Sequence, residues 1–585
     1  MTMTPQTFIA KWGPGGPAFD LNERQGAQPH FMDLCALLGV PTPGSEGDYI
    51  FEQDTLVLGE ARGYADVFKR DHFAWENKAP GKNLDAALKQ LLTYSLALSN
   101  PPLLVVCDRL TIRIHTRFNG HPSETHTVLL QELDQPEKQA LLRRLWTDPE
   151  SFRPKKTSRD ITEAAAKSFA TLAEGLRKRG AGTPEHADEV AHFLTQCLFC
   201  FFAEDVGLLP GRMFEGLVNN KALTSDKLAT GLNNLFTVMR DGGLYGNDDI
   251  PWFNGGLFKK IKVPKLTIMD MTELRNAAAL NWSAIDVSIF GTLFERGLDP
   301  SKRSQLGAHY TDPATIMRIV EPVLSRPLLQ KWELVTQEIR GLVAKSTRKN
   351  DKHYNLAKAR FVLWLEDLKA YRVLDPACGS GNFLFLGLKA LKDIEHRSHL
   401  DAAALGLDRE ADLVTGPHNV LGIELNEYAA ELARVTVWIG ELQWRMAHGY
   451  DFKTNPVLEP LDHIECRDAL LSFSDSGERA GQTPGAHEPS VPKSPPTSAP
   501  PTPLRDLSEE NGVRSEFRTA ALPEVKSVER HSALTPFSAA AGERHATEAT
   551  WPKASVVIGN PPFLGDKKMR SELGDDYFED SAKFF

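Results

Sequence analysis

The feature that most constrains the fold is a glycine-bearing turn between an apolar strand and an apolar helix. Residues 372–374 predict the end of the strand, residues 375–382 (DPACGSGN) form the turn, and residues 383–391 predict the helix. Units of this kind bind nucleotide-type ligands, because glycines let the backbone approach the ligand closely. The turn has neither GxGxxG nor a Lys-Ser/Thr pair, which favours a ligand without phosphates. Asn382 is predicted to cap the helix.

Acidic residues follow the next two predicted strands. Residues 420–423 form an apolar run that ends in Glu424, and Asp468 comes after residues 464–467. A carboxylate at the end of the second strand is well placed to accept hydrogen bonds from both ribose hydroxyls of a ligand. Asp468 is a candidate partner for an adenine amino group. The alternative for Glu424 is an ordinary surface glutamate. Its separation from Asp375 exceeds the usual ~20 residues, which predicts an insertion between them.

A second motif follows the short β-branched strand at residues 555–558 and reads Gly559, Asn560, Pro561, Pro562, Phe563. An exocyclic amine of a nucleobase is a poor nucleophile, because its lone pair is conjugated into the ring. The Asn560 side-chain oxygen and the Pro561 carbonyl oxygen can both accept its N–H groups, which favours a more nucleophilic nitrogen. Phe563 can stack on the base, which must be flipped out of a duplex to reach such a turn. The alternative is an ordinary Pro-Pro turn.

The N-terminal part carries Asp66, Glu76 and Lys78 on two predicted strands, residues 64–68 and 72–78. Side chains alternate along a strand, so Glu76 and Lys78 are expected on the same face. Two carboxylates and a backbone carbonyl suit Mg²⁺, which prefers oxygen ligands. Lys78 could then orient or activate an attacking water. The alternative is a solvated strand face.

The order of segments predicts several domains. The first block mixes strands and helices, the second is mainly helical, and the third alternates strands and helices as a parallel sheet requires. A Pro/Ser-rich segment then has too few apolar residues to fold. The expected divisions are residues 1–150 (α+β), 155–300 (helical spacer), 301–474 (first part of an α/β domain), 475–548 (disordered insert) and 549–585 (the rest of the α/β domain).

Composition excludes some classes of protein and leaves others open. No apolar run approaches the roughly 18 residues of a membrane span. Six cysteines in 585 residues make no disulfide framework, which indicates the cytoplasm. Cys197 and Cys200 lie in an apolar helix and are interpreted as core residues. The net charge of −10 neither supports nor excludes a nucleic-acid partner. The basic clusters at 153–159 and 177–179 fit either a solvated helix face or a DNA contact.

The motifs DPACGSGNF, GIELN and NPPF, in this order, resemble the adenine-specific gamma class of amino-group DNA methyltransferases, whose fold is Rossmann-like class I α/β. The segment that ends in Tyr310-Thr311 is similar to one that precedes the glycine turn in this class. The resemblance implies methyl transfer from S-adenosylmethionine to adenine N6 in double-stranded DNA. It implies a cofactor site of Tyr310, Thr311, Asp375, Pro376, Cys378, Gly379, Gly381, Asn382, Glu424 and Asp468. It implies that Asn560, Pro561, Pro562 and Phe563 hold the target adenine.

The N-terminal pattern, followed by a helix that contains QLLTY, resembles the PD-(D/E)xK nucleases. The resemblance implies Mg²⁺ bound by Asp66 and Glu76, with Gln90 and Tyr94 supporting the site. Both halves together, with phrases such as WFNGGLF and LGAHYTDP, resemble the MmeI-like (type IIL) single-chain restriction–modification enzymes. The order implied is nuclease, helical spacer, methyltransferase and target-recognition domain.

The family would continue beyond the point where this sequence stops, soon after Phe563, so we expect a C-terminally shortened chain without the part that selects a DNA site. The leading expectation is a bifunctional enzyme that modifies adenine and cuts unmodified DNA, with self-association for double-strand cleavage. One alternative is a phage-defence methyltransferase whose nuclease half is only structural. Another is a non-catalytic fragment that only binds DNA or the cofactor.

Overall fold

A computed structural model describes most of the chain. The described residues are 3–51, 54–55, 62–63, 65–179, 184–253, 256–287, 311–408, 412–452, 461–475, 544–561, 570 and 575–584. Within them, no helix combines the length and the apolarity needed to cross a membrane.

The N-terminal part forms a six-stranded sheet with helices on both faces. The sheet order is β1-β4-β5-β6-β7-β8, and neighbouring strands are antiparallel except β5 and β6. The strands are β1 Tyr49–Phe51, β2 Asp54–Thr55, β3 Arg62–Gly63, β4 Val67–Lys69, β5 Phe73–Asn77, β6 Leu103–Cys107, β7 Thr111–Thr116 and β8 Thr125–Leu129. The helices are α1 Pro5–Trp12, α2 Glu23–Leu38, α3 Leu84–Tyr94 and α4 Pro136–Thr147.

Helix α3 is the crossover that parallel strands require, and it connects β5 to β6. Its apolar face packs on one side of the sheet, while residues of α1, α2 and α4 form a second core on the other side. The observed strands are shorter than predicted. Asp66 lies just before β4 rather than within a strand. The N–H of Asn77, at the open end of this hairpin, donates to the Asp66 carboxylate (2.6 Å), so it is not available for a backbone bond that would extend β4. Helix α3 ends at Tyr94 instead of residue 98.

The middle part is mainly helical, as expected. It contains α5 Ser158–Arg179, α6 Pro184–Asp205, α7 Met213–Asn219, α8 Ser225–Asp241, α9 Ile268–Ala278 and the hairpin β9 Gly243–Tyr245 with β10 Asp248–Ile250. Cys197 and Cys200 are fully buried in α6, which confirms their interpretation as core residues. Burial raises the pKa of both thiols well above the ordinary value.

The C-terminal part is an α/β unit around a parallel sheet of order β13-β12-β11-β16. Its strands are β11 Val373–Asp375, β12 Val420–Glu424, β13 Ile464–Cys466, β14 Leu471–Asp475, β15 Arg544–Glu548 and β16 Val556–Val557. Its helices are α10 Pro313–Val320, α11 Arg326–Val343, α12 Lys352–Ala370, α13 Asn382–Ala404, α14 Glu427–Ala447 and α15 Asp575–Phe584. Helices α13 and α14 connect β11 to β12 and β12 to β13, which gives the alternation that the sequence predicted.

The predicted disordered insert begins and ends at a two-stranded antiparallel pair. Strand β14 pairs with β15, and Asp475 is the direct partner of Arg544. The segment predicted as disordered, 475–548, includes both Asp475 and β15. These residues are strands because each finds backbone hydrogen-bond partners in the other, which composition does not reveal. Residues 476–543 lie outside the described part of the chain.

Candidate functional site

Four polar side chains lie at one edge of the parallel sheet. Asp375 ends β11, Glu424 ends β12, Asp468 follows β13, and Asn560 follows β16. The strands are parallel, so all four residues lie at the same carboxyl edge, in the spatial order Asp468, Glu424, Asp375, Asn560. Ligands of open parallel sheets bind at this edge.

The glycine turn connects β11 to α13 in a conformation that requires glycine. Gly381 is in the left-handed region (φ 87°) and is the N-terminal cap residue of α13. The prediction that Asn382 caps the helix is therefore wrong, because Asn382 is already the first helical residue. A Cβ atom on Gly381 would lie 2.8 Å from the Cα atom of Ala433 in α14, so the glycine allows the two helices to approach. The Cys378 N–H donates to the Ile423 carbonyl (3.0 Å), which holds the turn against β12.

Glu424 is fixed by backbone donors on both carboxylate oxygens. The N–H of Gly379 donates to Oε2 and the N–H of Asn426 donates to Oε1, each at 2.9 Å. These two bonds fix the orientation of the carboxylate at the end of β12. The sequence prediction did not include Asn426, although an Asn before a helical run is a recognisable cap signal, and Asn426 does cap α14.

Asp375 is buried next to Glu424 and is held by one backbone donor. The Ala377 N–H donates to Oδ1 (3.0 Å), while Oδ2 is buried without a hydrogen-bond partner in the described structure. Burial, reinforced by the charge of Glu424, raises the pKa of Asp375 to about 7. Such an oxygen is normally satisfied by a partner, so it fits a ligand with a cationic or N–H donor group. A Cβ on Gly559 would lie 2.5 Å from Oδ1, so glycine is needed there as well.

Asp468 and Asn560 lie at the two ends of this edge. Asp468 Oδ1 accepts from the N–H groups of Leu470 (2.7 Å) and Leu471 (3.1 Å). The Asn560 amide Nδ2 donates to Thr311 Oγ1 (2.9 Å), which brings the segment before α10 to the NPPF turn. Among the other predicted residues, Pro376 lies in the glycine turn and Pro561 follows Asn560. Tyr310, Pro562 and Phe563 lie outside the described residues.

A second group of polar side chains lies where β4 begins and its antiparallel neighbour β5 ends. The register Val67–Trp75, continued by one residue, places Asp66 opposite Glu76. Asp66 Oδ2 accepts from the N–H of Asn77 (2.6 Å), and Lys78 Nζ donates to Glu76 Oε1 (2.8 Å). The structure therefore brings the three predicted residues together.

Burial and the neighbouring charges shift the pKa values of all three side chains in this second group. Burial, followed by repulsion from Asp66, raises the pKa of Glu76 to about 7, and burial also raises the pKa of Asp66. Burial opposes the charge of Lys78, but Glu76 and Glu23 outweigh it and raise the pKa of the lysine.

Glu23, in the first turn of α2, contacts Lys78 Nζ at 3.2 Å. The sequence prediction did not include it, because no local pattern connects α2 to this strand. Among the described residues, no three His, Cys, Asp or Glu side chains are arranged as a ready metal cluster. The oxygen set available at the strand ends is therefore the Asp66 and Glu76 carboxylates with neighbouring backbone carbonyls.

The two basic clusters pair with acidic neighbours. Arg153 contacts Glu150 and Arg159 contacts Glu163, in each case on the same helical segment. Arg179 pairs with the buried carboxylate of Asp270. These contacts favour the helix-face interpretation over a DNA contact.

Comparison with protein families gives three matches in chain order. Residues 3–179 match the MmeI N-terminal domain, residues 188–258 match the MmeI helicase spacer domain, and residues 349–583 match the MmeI DNA-methyltransferase domain.

Among curated proteins, the chain is 29% identical over 304 residues to DNA methyltransferase A of Bacillus subtilis (strain 168), a match covering 48% of this chain and 30% of the relative. It is 25% identical over 229 residues to a putative type II restriction enzyme and methyltransferase of Methanocaldococcus jannaschii, a match covering 33% of this chain and 19% of the relative. The chain thus spans less than a third of the length of either relative.

One solved structure with detectable similarity is the Type IIL restriction-modification enzyme MmeI in complex with DNA. It has 27% sequence identity and a TM-score of 0.41, and the match covers 48% of this chain and 36% of that one. Three domain models of one family match most of the chain in a single order, so the chain belongs to the MmeI-like (type IIL) family.

Proposed function

We propose that the C-terminal α/β domain transfers a methyl group from S-adenosylmethionine to N6 of adenine in double-stranded DNA. The observation that carries the proposal is the row of side chains at the carboxyl edge of the sheet. Asp468, Glu424 and Asp375 end or follow three adjacent strands, and Asn560 follows the fourth. In this arrangement a nucleoside-type ligand can lie along the first three residues with its reactive end directed at Asn560.

The cofactor site fits the chemistry of S-adenosylmethionine. The Glu424 carboxylate, oriented by two backbone N–H groups at the end of the second strand, suits the two ribose hydroxyls. The Oδ2 atom of Asp375, which has no hydrogen-bond partner among the described residues, suits the ammonium of the amino-acid portion. The acceptor of Asp468 suits the adenine amino group. No donor side chain among these residues is positioned for a pyrophosphate. When bound, the cofactor supplies an electrophilic methyl group on a sulfonium.

The acceptor side is built to hold an exocyclic amine. Because the Asn560 Nδ2 atom is used by Thr311, the Oδ1 atom of the same amide is left to accept an N–H of the target base. Together with the Pro561 carbonyl it would draw the amine away from conjugation with the ring, and the amine would attack the methyl group in line. A base in a duplex reaches this turn only when flipped out of the helix.

Labelled methyl transfer tests this proposal. The chain is incubated with labelled S-adenosylmethionine and duplex DNA of mixed sequence, and the DNA is digested to nucleosides. We expect the label in N6-methyl-2′-deoxyadenosine and its loss with Asn560→Ala. Label in methylated cytosine would contradict the base assignment. If the chain binds the cofactor but transfers no methyl group, the proposed cofactor site stands. The proposed transferase activity of this chain is then contradicted.

We also infer a Mg²⁺-dependent endonuclease activity for the N-terminal domain. Its support is the juxtaposition of Asp66, Glu76 and Lys78, with Lys78 Nζ 2.8 Å from Glu76 Oε1. The two carboxylates would hold the cation, which neutralises charge on a phosphate, and Lys78 would orient the attacking water. A double-strand cut would require two chains, each of which cuts one strand.

The test of the nuclease compares DNA cleavage by the unchanged protein and by two variants. Asp66→Asn and Lys78→Ala are each expected to reduce cleavage by at least about 10²-fold, while methyl transfer stays at the level of the unchanged chain. Cleavage that survives both substitutions would support the alternative of a nuclease-like half with only a structural role.

A further inference from the structure

The Asp468 carboxylate has a side-chain hydrogen-bond partner from a distant part of the chain, which the sequence did not predict. The phenol of Tyr577 donates to Asp468 Oδ2 at 2.8 Å, across 109 positions of sequence. The backbone N–H groups of Leu470 and Leu471 occupy the other oxygen, Oδ1. Asp468 as a whole residue is 8% exposed, so few orientations are open to its carboxylate.

Tyr577 reaches Asp468 from helix α15. Tyr577 is half-buried, and Ser581, four residues later on the same helical face, is buried. Burial and the neighbouring Asp468 charge raise the pKa of the Tyr577 phenol, so the phenol remains protonated and acts as the donor. A carboxylate only accepts hydrogen bonds, so the direction of this bond is not ambiguous.

The described partners of Asp468 fill most of the acceptor positions of its carboxylate. A carboxylate has about four acceptor positions, two on each oxygen. Leu470 and Leu471 fill both positions of Oδ1, and Tyr577 fills one of Oδ2. Among the described residues, one acceptor position of this carboxylate remains unfilled. It is on Oδ2, and its direction is fixed by where the phenol lies.

We propose that Tyr577 is a positioning residue, which holds Asp468 so that the remaining acceptor of Oδ2 receives the amino group of the cofactor adenine. This inference rests on the proposed use of S-adenosylmethionine. It deepens that proposal, because it makes recognition of a 6-aminopurine depend on α15, a helix beyond the NPPF turn. Without the phenol, the carboxylate can rotate away, and the advantage of an amino purine over a purine without that group falls.

The test measures binding of two ligands by calorimetry. One is S-adenosylhomocysteine, and the other is its analogue with hydrogen in place of the 6-amino group. For the unchanged chain we expect the first to bind at least about tenfold more tightly, the effect of one hydrogen bond to a charged group. Tyr577→Phe should remove most of that difference by weakening the amino ligand alone. The maximal rate of methyl transfer at saturating cofactor should change less than about twofold.

A matched control is Tyr354→Phe. The Tyr354 phenol donates to Asp408 Oδ2 at 3.0 Å, which is the same pair of groups far from the sheet edge. This variant should bind both ligands as the unchanged chain does. In an Asp468→Asn background, Tyr577→Phe should have no further effect on the preference for the amino ligand, because the phenol acts through the carboxylate.

The remaining outcomes are distinct. Equal weakening of both ligands by Tyr577→Phe would show a purely structural role and overturn the inference. Undiminished preference for the amino ligand would overturn it too. If Tyr577→Phe does not fold, equal binding of the two ligands by the unchanged chain overturns it, and a clear preference supports it. Failure of the unchanged chain to bind S-adenosylhomocysteine at all would instead contradict the proposed function, and the inference with it.

Discussion

Asn560 and Thr311, 249 positions apart in the sequence, are joined by a hydrogen bond of 2.9 Å from the amide Nδ2 to the hydroxyl Oγ1. The sequence predicted Thr311 as part of the cofactor site and Asn560 as part of the acceptor site. Their contact makes the two sites continuous. It also orients the amide, because the nitrogen is used by Thr311 and the oxygen is left for the target base of the proposed reaction.

This contact predicts a graded loss of activity. Asn560→Ala should lower the maximal rate of methyl transfer by about 10²–10³-fold, because it removes an acceptor made for the reacting amine. Thr311→Val should lower the rate by about tenfold, the effect of one neutral hydrogen bond at the upper end of its range, and Thr311→Ser should restore most of it. Labelled methyl transfer at saturating cofactor is the measurement. If Thr311→Val transfers the methyl group as fast as the unchanged chain, the orientation of the Asn560 amide does not depend on Thr311.

Metal removal should separate the two proposed activities. Chelation of Mg²⁺ should abolish DNA cleavage, because the Asp66 and Glu76 carboxylates and the lysine cannot neutralise the phosphate alone. Methyl transfer should continue, since none of its groups requires a cation. The two reactions are assayed in the same tube with and without chelator, and Mg²⁺ in excess should restore cleavage. Cleavage that persists in chelator would contradict the metal assignment.

Gly381 predicts a stability difference with an internal control. Gly381→Ala meets both an unfavourable backbone conformation (φ 87°) and the Ala433 Cα atom at 2.8 Å. Gly120→Ala has a similar conformation (φ 73°) with nothing within 4 Å. We expect about 1 kcal/mol of destabilisation for the control and a further 1–3 kcal/mol for Gly381→Ala, measured by urea unfolding. If both variants lower the free energy of unfolding equally, α13 and α14 can move apart without destabilising the protein.

His192 forms a charged contact between α6 and α14. Its Nδ1 lies 2.8 Å from Glu431 Oε2, and its Nε2 lies 2.8 Å from the carbonyl oxygen of Lys260. Both partners only accept, and Gln196 Nε2, which also lies 3.1 Å from His192 Nε2, donates to the carbonyls of Leu257 and Lys260. The protonated imidazolium, with an N–H on each ring nitrogen, satisfies the contacts to Glu431 and Lys260 together.

This contact predicts a pH dependence of stability. Burial and the Lys260 charge, itself paired with Glu427, oppose protonation of His192, but Glu431 outweighs them and the pKa of His192 is raised. A raised pKa gives stabilisation that is complete below the unfolded value of about 6.5 and is lost as pH rises through the folded value. Relative to the unchanged chain, His192→Gln should therefore have a clearly lower midpoint of thermal unfolding at about pH 6. At about pH 9 the two midpoints should differ only slightly. If His192→Gln lowers the midpoint of thermal unfolding equally at both pH values, the charge of His192 does not contribute to stability at this contact.

The β14–β15 pair predicts that residues 476–543 are dispensable for cofactor binding. Asp475 and Arg544 are direct antiparallel partners, and the Cα atoms of such partners lie about 5 Å apart, a gap that a two-residue Asn-Gly turn can close. The shortened chain should bind S-adenosylhomocysteine within about twofold of the original, by calorimetry. If the shortened chain keeps its far-ultraviolet circular dichroism spectrum but no longer binds S-adenosylhomocysteine, residues 476–543 contribute to the cofactor site.

The motifs were predictable because each depends on local chemistry. A glycine turn after an apolar strand, a carboxylate at a strand end and an Asn-Pro-Pro turn all occupy a few consecutive residues. So does Glu76 with Lys78, whose common face follows from strand alternation. Boundaries were less accurate. The strand that was expected to hold Asp66 begins after it, and the helix cap fell on Gly381 instead of Asn382, because packing against Ala433 fixes the turn.

The sequence by itself determined which residue types meet the chemistry of a nucleoside cofactor, an exocyclic amine and a hard cation. Only the tertiary structure decided which of them are neighbours. The sheet order β13-β12-β11-β16 seats Asn560 beside Asp375, and long-range packing brings Thr311, Glu23 and Tyr577 to the sites. The physical reason is that these neighbours arise from strand pairing and packing between distant segments, whereas periodicity and turn chemistry reach only across a single element.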